Sequence, residues 1–333
     1  MHIRFLTTYP IDYLDNEGAT SIGASTRLRV IAPVRYLASL GVDVEIISIP
    51  FNAYNNPRIT IPKDSVVVVS KIMTEVGVEV VEQISRSGLR VIFDICDNHF
   101  LGTTQFSHLY RRLRPWVRDY VCNTEEMGLA LQREFTREGS IIFDPVELER
   151  GSAKAASPPY DMLWYGVPSG LPHLIKWLRD SSLGSVTKDI GTITILTMLN
   201  AEVTKFVESG ISDSLQGRLR LLPWSLPRMQ SSLCSSNLVL VPMEYTPFSS
   251  TKSANRVAEA IWAGRIVISS NLPSYREFDG QGAVIAQSIV EGLDRVHSCG
   301  DQESRISKGQ DLISVKYTEP VVGRHWFDLL SSF

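Results

Sequence analysis

The chain has 333 residues, of which 44% are hydrophobic and 21% charged, with a formal charge of -3. That balance describes a folded globular protein and excludes a disordered polar chain and a broadly basic nucleic-acid binder. Its four cysteines, Cys96, Cys122, Cys234 and Cys299, form no CxxC pair, which argues against structural zinc and for a reducing compartment.

The opening MHIRFLTTYP runs directly into strand-like sequence, without a charged leader and long apolar segment. The longest apolar runs fall well short of the roughly 20 residues that cross a bilayer. The expected location is therefore cytoplasmic. In chain order the strand candidates are HIRFLT, VDVEIIS, SVVVVS, LRVIFD, YVCN and SIIF, and helices are expected over about 25–40 and 75–87. Pro33 implies a kink or a later start in the first of these helices. The polar stretch ELERGSAKAASPPYD has linker composition and marks a boundary, giving domains at 1–152 and 153–316. Beyond it come MLWYG, TITILT, RLRLLP, NLVLVPM, RIVISS and AVIA, with helices over 169–180, after Asn200 and over 250–263. Short apolar strands alternating with helices predict two α/β domains, each around a parallel sheet, whose ligands bind beyond the carboxyl ends of the strands.

Three loops carry chemistry. The first, GATSIGASTRLR, resembles a P-loop in which Gly18, Gly23 and Ser25 fall into place while Ala24 stands where lysine belongs. Gly23 allows close backbone approach, and Arg27 and Arg29 add positive charge; a capped helix with two solvated arginines is the alternative. In VIFDICDNHF, Asp94, Asp97 and His99 lie at a strand terminus, where a carboxylate or imidazole serves as a general base or, equally, as a cap or packed side chain. The spacing is not DxD, and no metal site is predicted.

The third segment, PMEYTPFSSTKSANRVAEAIWAGRIVISS, places Lys252, Ser253, Asn255 and Arg256 at a helix start, with Glu259 further along. Backbone donors, dipole and cations together suit a diphosphate, and Glu259 suits ribose hydroxyls. A solvated face with an internal salt bridge is the bland alternative.

This segment resembles the donor-binding region of GT-B glycosyltransferases, in the broad family-four-like group related to glycogen synthase. Glu259 stands at the second acid of that group's E-x7-E pattern, and Thr251 replaces the first. The resemblance implies a GT-B fold of two Rossmann-like domains facing across a cleft, acceptor on the first and nucleotide sugar on the second. It also implies that TEPVVGRHWFDLLSSF, within 317–333, is a closing helix returning to the first domain through Trp326 and Phe327. In YGVPSG, Gly166 would approach the diphosphate, and in LRLLPWS, Trp224 would stand near the nucleotide base.

The expected reaction is sugar transfer from a nucleotide-diphosphate donor to a hydroxyl on a glycan, lipid-linked saccharide or small molecule, without metal or cofactor. Lys252, Ser253, Asn255, Arg256 and Glu259 are expected to hold the donor. Asp97 or His99 would act on the acceptor, with Arg27 near the phosphate. A sugar-nucleotide epimerase and a non-catalytic nucleotide-sugar binder are the rival readings, the latter because of Thr251. The basic, aromatic stretch HLYRRLRPWVRDY raises a peripheral contact with the inner membrane face, against a solvated helix as the simpler reading.

Overall fold

The computed structural model describes residues 2–14, 18–49, 59–211, 215 and 217–333. Its contacts divide the chain into two units. The first comprises Met1–Glu147, Ser250–Ser253 and Lys316–Phe333; the second comprises Leu148–Ser249 and Ala254–Val315.

Among the described residues of the first unit, six strands form one parallel sheet: β1 (His2–Thr7), β4 (Asp43–Ser48), β5 (Ser65–Ser70), β6 (Arg90–Ile95), β7 (Asp119–Cys122) and β8 (Ser140–Ile141). Their order is β4-β1-β5-β6-β7-β8. Every residue of β5 is buried, as expected of a parallel strand covered on both faces. The pleat divides its valines: Val67 and Val69 join Val91, Phe93 and Leu109 on one face, and Val66 and Val68 join Phe5, Ile92 and Trp326 on the other.

Helices Glu75–Arg86, Gln105–Leu113 and Glu125–Phe135 cover the first face. Each begins on a threonine, Thr74, Thr104 or Thr124, whose side chain accepts a backbone N–H of the first turn. The opposite face is covered by Ala32–Ser39 and the C-terminal helix Glu319–Ser331, which lies in the first unit. Trp326 of that helix is fully buried and meets the edge of Phe5 at 5.6 Å, and Phe327 is partly buried beside the same core.

The second unit repeats the plan with β9 (Tyr160–Tyr165), β10 (Ile190–Thr197), β11 (Leu219–Pro223), β12 (Leu238–Val241), β13 (Ile266–Ser269) and β14 (Ala283–Ile285). These strands are all parallel, in the order β11-β10-β9-β12-β13-β14. Relative to its own first strand that is 3-2-1-4-5-6, the Rossmann order, while the first sheet reads 2-1-3-4-5-6. The order therefore reverses between β1 and β5 in one sheet and between β9 and β12 in the other. Among the described residues no helix is long and apolar enough to cross a membrane.

The α-helix that holds Pro33 begins late, at Ala32: a π-turn over Arg27–Ile31 precedes Ala32–Ser39, and the Ala32 N–H reaches back to the Arg27 carbonyl. The wider turn carries the chain past a residue that has no N–H to donate. A hairpin of β2 (Asp12–Leu14) and β3 (Gly18–Thr20) follows β1, where only a loop is expected from sequence.

Within the stretch of linker composition, residues 150–154 pack through backbone hydrogen bonds. The Gly151 N–H donates to the Trp262 carbonyl at 2.8 Å, and the Lys154 N–H donates to the Gly264 carbonyl at 3.1 Å. A Cβ on Gly151 would lie 2.4 Å from the Ala263 carbonyl oxygen, so the two segments touch through glycine. Finally, the helix expected over 250–263 spans only Asn255–Trp262, after a 3-10 turn at Ser249–Thr251. Hydroxyls there serve the loop instead: Ser249 Oγ accepts the Thr246 N–H at 2.8 Å, and Thr246 Oγ1 accepts the Ser249 N–H at 3.0 Å.

Candidate active site

In the first unit the carboxyl ends of β1, β5 and β6 gather Thr8, Lys71, Asp97 and His99. Lys71 directly follows β5 with φ of 55°, the left-handed region that non-glycine residues seldom adopt. Thr8, just beyond β1, fixes that backbone. Its hydroxyl donates to the Lys71 carbonyl at 2.6 Å and accepts the Met73 N–H at 3.0 Å. The Lys71 ammonium pairs with one oxygen of Asp97, and Lys252 pairs with the other.

Burial opposes the Asp97 charge, but Lys71 and Lys252 outweigh it and hold the carboxyl below the ordinary carboxylate range. Burial likewise opposes the Lys71 ammonium, and the Asp97 carboxylate paired with it outweighs that cost, keeping the lysine cationic well above its usual range. His99 stands against Phe106 and Tyr110, with ring centroids 5.0 and 5.4 Å away. Its burial, only partly offset by Asp97, lowers its pKa to about 4, so the imidazole is neutral at pH 7. The buried Cys96 thiol is pushed up to about 12 and stays protonated.

Three neighbouring residues of one segment are held by three strand ends of this unit. Thr124, after β7, donates its hydroxyl to the Thr251 carbonyl at 3.0 Å. Asp97, after β6, takes Lys252. Asp144, beyond β8, accepts a side-chain hydrogen bond from Ser253. Lys252 and Ser253, expected on the donor domain, thus have their described partners in the first unit.

Arg27 is buried and clasps its own loop. Its guanidinium donates to Glu147 at 2.7 and 3.0 Å and to the Ser21 carbonyl at 2.7 Å. Gly23 lies in that loop, where a Cβ would come within 2.8 Å of the Tyr9 ring, and its carbonyl accepts the Thr26 and Arg27 N–H groups. Arg29 and Asp94 are structural: Arg29, fully buried, pairs with Asp94 and packs 5.4 Å from the Trp326 ring centroid. Ser70 donates to the other Asp94 oxygen at 2.7 Å. Asp94 is thereby removed from the set of base candidates.

In the second unit Gly166 follows β9, Trp224 follows β11 and Glu244 lies beyond β12, with Arg256 on the helix Asn255–Trp262. The Tyr165 hydroxyl donates to the Arg256 carbonyl at 2.9 Å. The Arg256 guanidinium lies 3.2 Å from where a Cβ on Gly166 would be, so it stands beside the loop that follows β9. His173, on the helix Leu171–Leu178, is lowered by burial, with Glu244 opposing and Arg256 and Lys176 adding to the effect. Trp224 is half-buried beyond β11, its backbone N–H donating to the Thr197 carbonyl at 2.8 Å. Asn255 opens the helix and is half-buried. Glu259 is buried within that helix and accepts the Leu148 N–H at 2.8 Å through Oε1. Lys71, Thr8 and His173 are not singled out by the sequence; a cation one residue beyond a run of four valines is the one cue that marks Lys71.

No family model matches the sequence, and no curated protein matches it. Solved structures do. Anabaena HepE in complex with UDP superposes with a TM-score of 0.66 at 11% identity, covering 100% of both chains. WaaG, a glycosyltransferase involved in lipopolysaccharide biosynthesis, gives 0.65 at 11% identity over 99% of this chain and 100% of its own. The chain has the GT-B fold. TarM, similar at 14% identity with a TM-score of 0.57, covers 96% of this chain but only 63% of its own length matches. At these identities the likeness concerns the GT-B architecture: two Rossmann-like units, each with a strand-order reversal whose carboxyl side carries the clusters described above.

Proposed function

We propose that this chain transfers a glycosyl group from a nucleotide-diphosphate sugar to a hydroxyl of a glycan or lipid-linked acceptor, as a member of the family-four-like group. The observation that carries this reading is Arg256 beside Gly166 at the strand-order reversal of a Rossmann sheet, in a chain that matches UDP-bound HepE over its whole length.

The donor is assigned to the second unit. Arg256 and the backbone donors at the start of Asn255–Trp262 receive the diphosphate; Trp224 and Glu259 lie towards base and ribose. The acceptor is assigned to the first unit. Its hydroxyl oxygen forms the new bond to the anomeric carbon as the bond from that carbon to the phosphate oxygen breaks. The hydroxyl proton leaves with the departing phosphate or to water. Asp97, held below the usual carboxylate range, is a weak base, and its role is to accept a hydrogen bond from the acceptor and orient it. Neutral His99 adds a hydrogen-bonding group beside it. Side-chain cations stabilise the leaving group in place of a metal.

The test is incubation of the protein with UDP-, GDP-, ADP-, CMP- and dTDP-sugars in chelator, with release of free nucleotide as the readout. Release from one class supports the proposal. No release from any, with or without an added mixture of glycosides, counts against it, and activity that appears only on adding manganese contradicts its metal-free form.

A further inference from the structure

The amino-terminal end of β7 carries a polar cluster that neither the donor nor the acceptor assignment uses. Lys71, Asp97 and His99 lie beyond the carboxyl ends of the first sheet, whereas Tyr120 is the second residue of β7. Tyr120 is only 3% exposed, and its hydroxyl has no hydrogen-bond partner among the described residues. A buried phenol usually finds an acceptor. This one has none.

Two turns bring arginines to that hydroxyl. Arg114 opens the short turn Arg114–Trp116 before β7, and its guanidinium stands 5.3 Å from the centroid of the Phe135 ring and donates to the Phe135 carbonyl at 3.1 Å. Phe135 in turn meets the edge of Tyr120, with centroids 6.1 Å apart. Beyond Phe135 the chain passes through Thr136, whose φ of 55° is rare for a β-branched residue, and so presents Arg137. This turn is seated on β7 through Gly139, where a Cβ would lie 3.3 Å from the Tyr120 carbonyl oxygen. Burial raises the Tyr120 phenol, and the charged groups that oppose it are Arg137 and Arg114. Both arginines are exposed. Among the described residues neither pairs with a carboxylate, and Arg137 makes no hydrogen bond.

We infer that Tyr120, Arg114 and Arg137 form a phosphate-binding site, at the opposite end of the first sheet from Asp97. Each guanidinium offers a planar fork of N–H donors, and the phenol donates from a third direction. That set suits the several oxygens of a phosphate monoester, whose charge of nearly two is matched by the two arginines. Its arrival supplies the acceptor that the Tyr120 hydroxyl lacks. A small phosphorylated molecule and the headgroup of an acidic lipid present the same group. The site does not rest on the glycosyl-transfer reading.

The experiment is calorimetric titration of the intact protein with inorganic phosphate at constant ionic strength, together with co-sedimentation on phosphatidylcholine vesicles with and without phosphatidic acid. Wild type is compared with Arg137→Met, Tyr120→Phe and, as a control for the donor diphosphate position, Arg256→Ala. Wild type and Arg256→Ala are expected to share one phosphate affinity, which falls roughly tenfold or more in Arg137→Met and several-fold in Tyr120→Phe. Without phosphate, Tyr120→Phe should melt no lower than wild type, since the hydroxyl has no bond to lose, and added phosphate should raise its melting temperature less. Sedimentation that requires phosphatidic acid and is lost in Arg137→Met identifies a lipid headgroup as the source; phosphate binding without sedimentation identifies a soluble one. Absence of both phosphate binding and sedimentation overturns the inference. So does a phosphate affinity lost in Arg256→Ala and kept in Arg137→Met, which belongs to the donor position, or one that neither Arg137→Met nor Tyr120→Phe reduces.

Discussion

Lys252 forms an ion pair with Asp97, 155 positions earlier in the chain, and so fastens residues 250–253 into the first unit. Immediately downstream, Asn255–Trp262 belongs to the second unit and carries Arg256 and Glu259. Asp97, proposed above to orient the acceptor, is thus also a structural partner of that segment.

Asp97→Asn should destabilise the protein by about 3–5 kcal/mol, because it leaves two buried or half-buried ammonium groups without their anion. Chemical denaturation measures this. Lys252→Met should cost less, about 1–2 kcal/mol, because Asp97 keeps Lys71.

His99 gives the protein a pH dependence with a defined sign. Its folded pKa of about 4 lies below the unfolded value near 6.5, so the unfolded chain binds the proton more readily. The stabilisation is complete above pH 6.5 and is lost as pH falls towards 4. The shift alone corresponds to roughly 3 kcal/mol, and partial exposure of the ring reduces the expected loss to about 2 kcal/mol. Melting curves of wild type and His99→Gln between pH 7 and 4 measure it: the slope should flatten in the variant.

Trp326→Ala should lower stability by about 3–5 kcal/mol, since the indole is fully buried against Phe5 and the guanidinium of Arg29. Denaturant titration provides the value. A loss below about 1 kcal/mol would mean that the C-terminal helix does not hold the first core together.

The two sheets were legible in the sequence because strands covered on both faces appear as unbroken apolar runs, SVVVVS and NLVLVPM among them. The hairpin of Asp12–Leu14 and Gly18–Thr20 was not, since its strands are three residues each and expose Tyr13. Nor was the allegiance of Thr251–Ser253. It depends on Thr124, Asp97 and Asp144, which no local periodicity connects to that segment. Arg27 and Asp94 show the converse: a charged residue in a glycine loop or at a strand end suggests chemistry, and the sequence gives no sign of the ion pairs that Glu147 and Arg29 make with them from distant positions. The glycine loop without a lysine is explained in the same way. Its cation, Arg27, binds the loop's own carbonyls, and Lys71 stands across the reversal beside Thr8.

The most direct test of the central claim is calorimetry of UDP, GDP and ADP, each beside its nucleoside, against wild type and Arg256→Ala. One nucleoside diphosphate should bind wild type, and the variant should bind it roughly tenfold or more weakly while its affinity for the nucleoside is unchanged. Failure of all three to bind wild type, or equal binding of the diphosphate to both proteins, would contradict the assignment of Arg256 to the donor diphosphate.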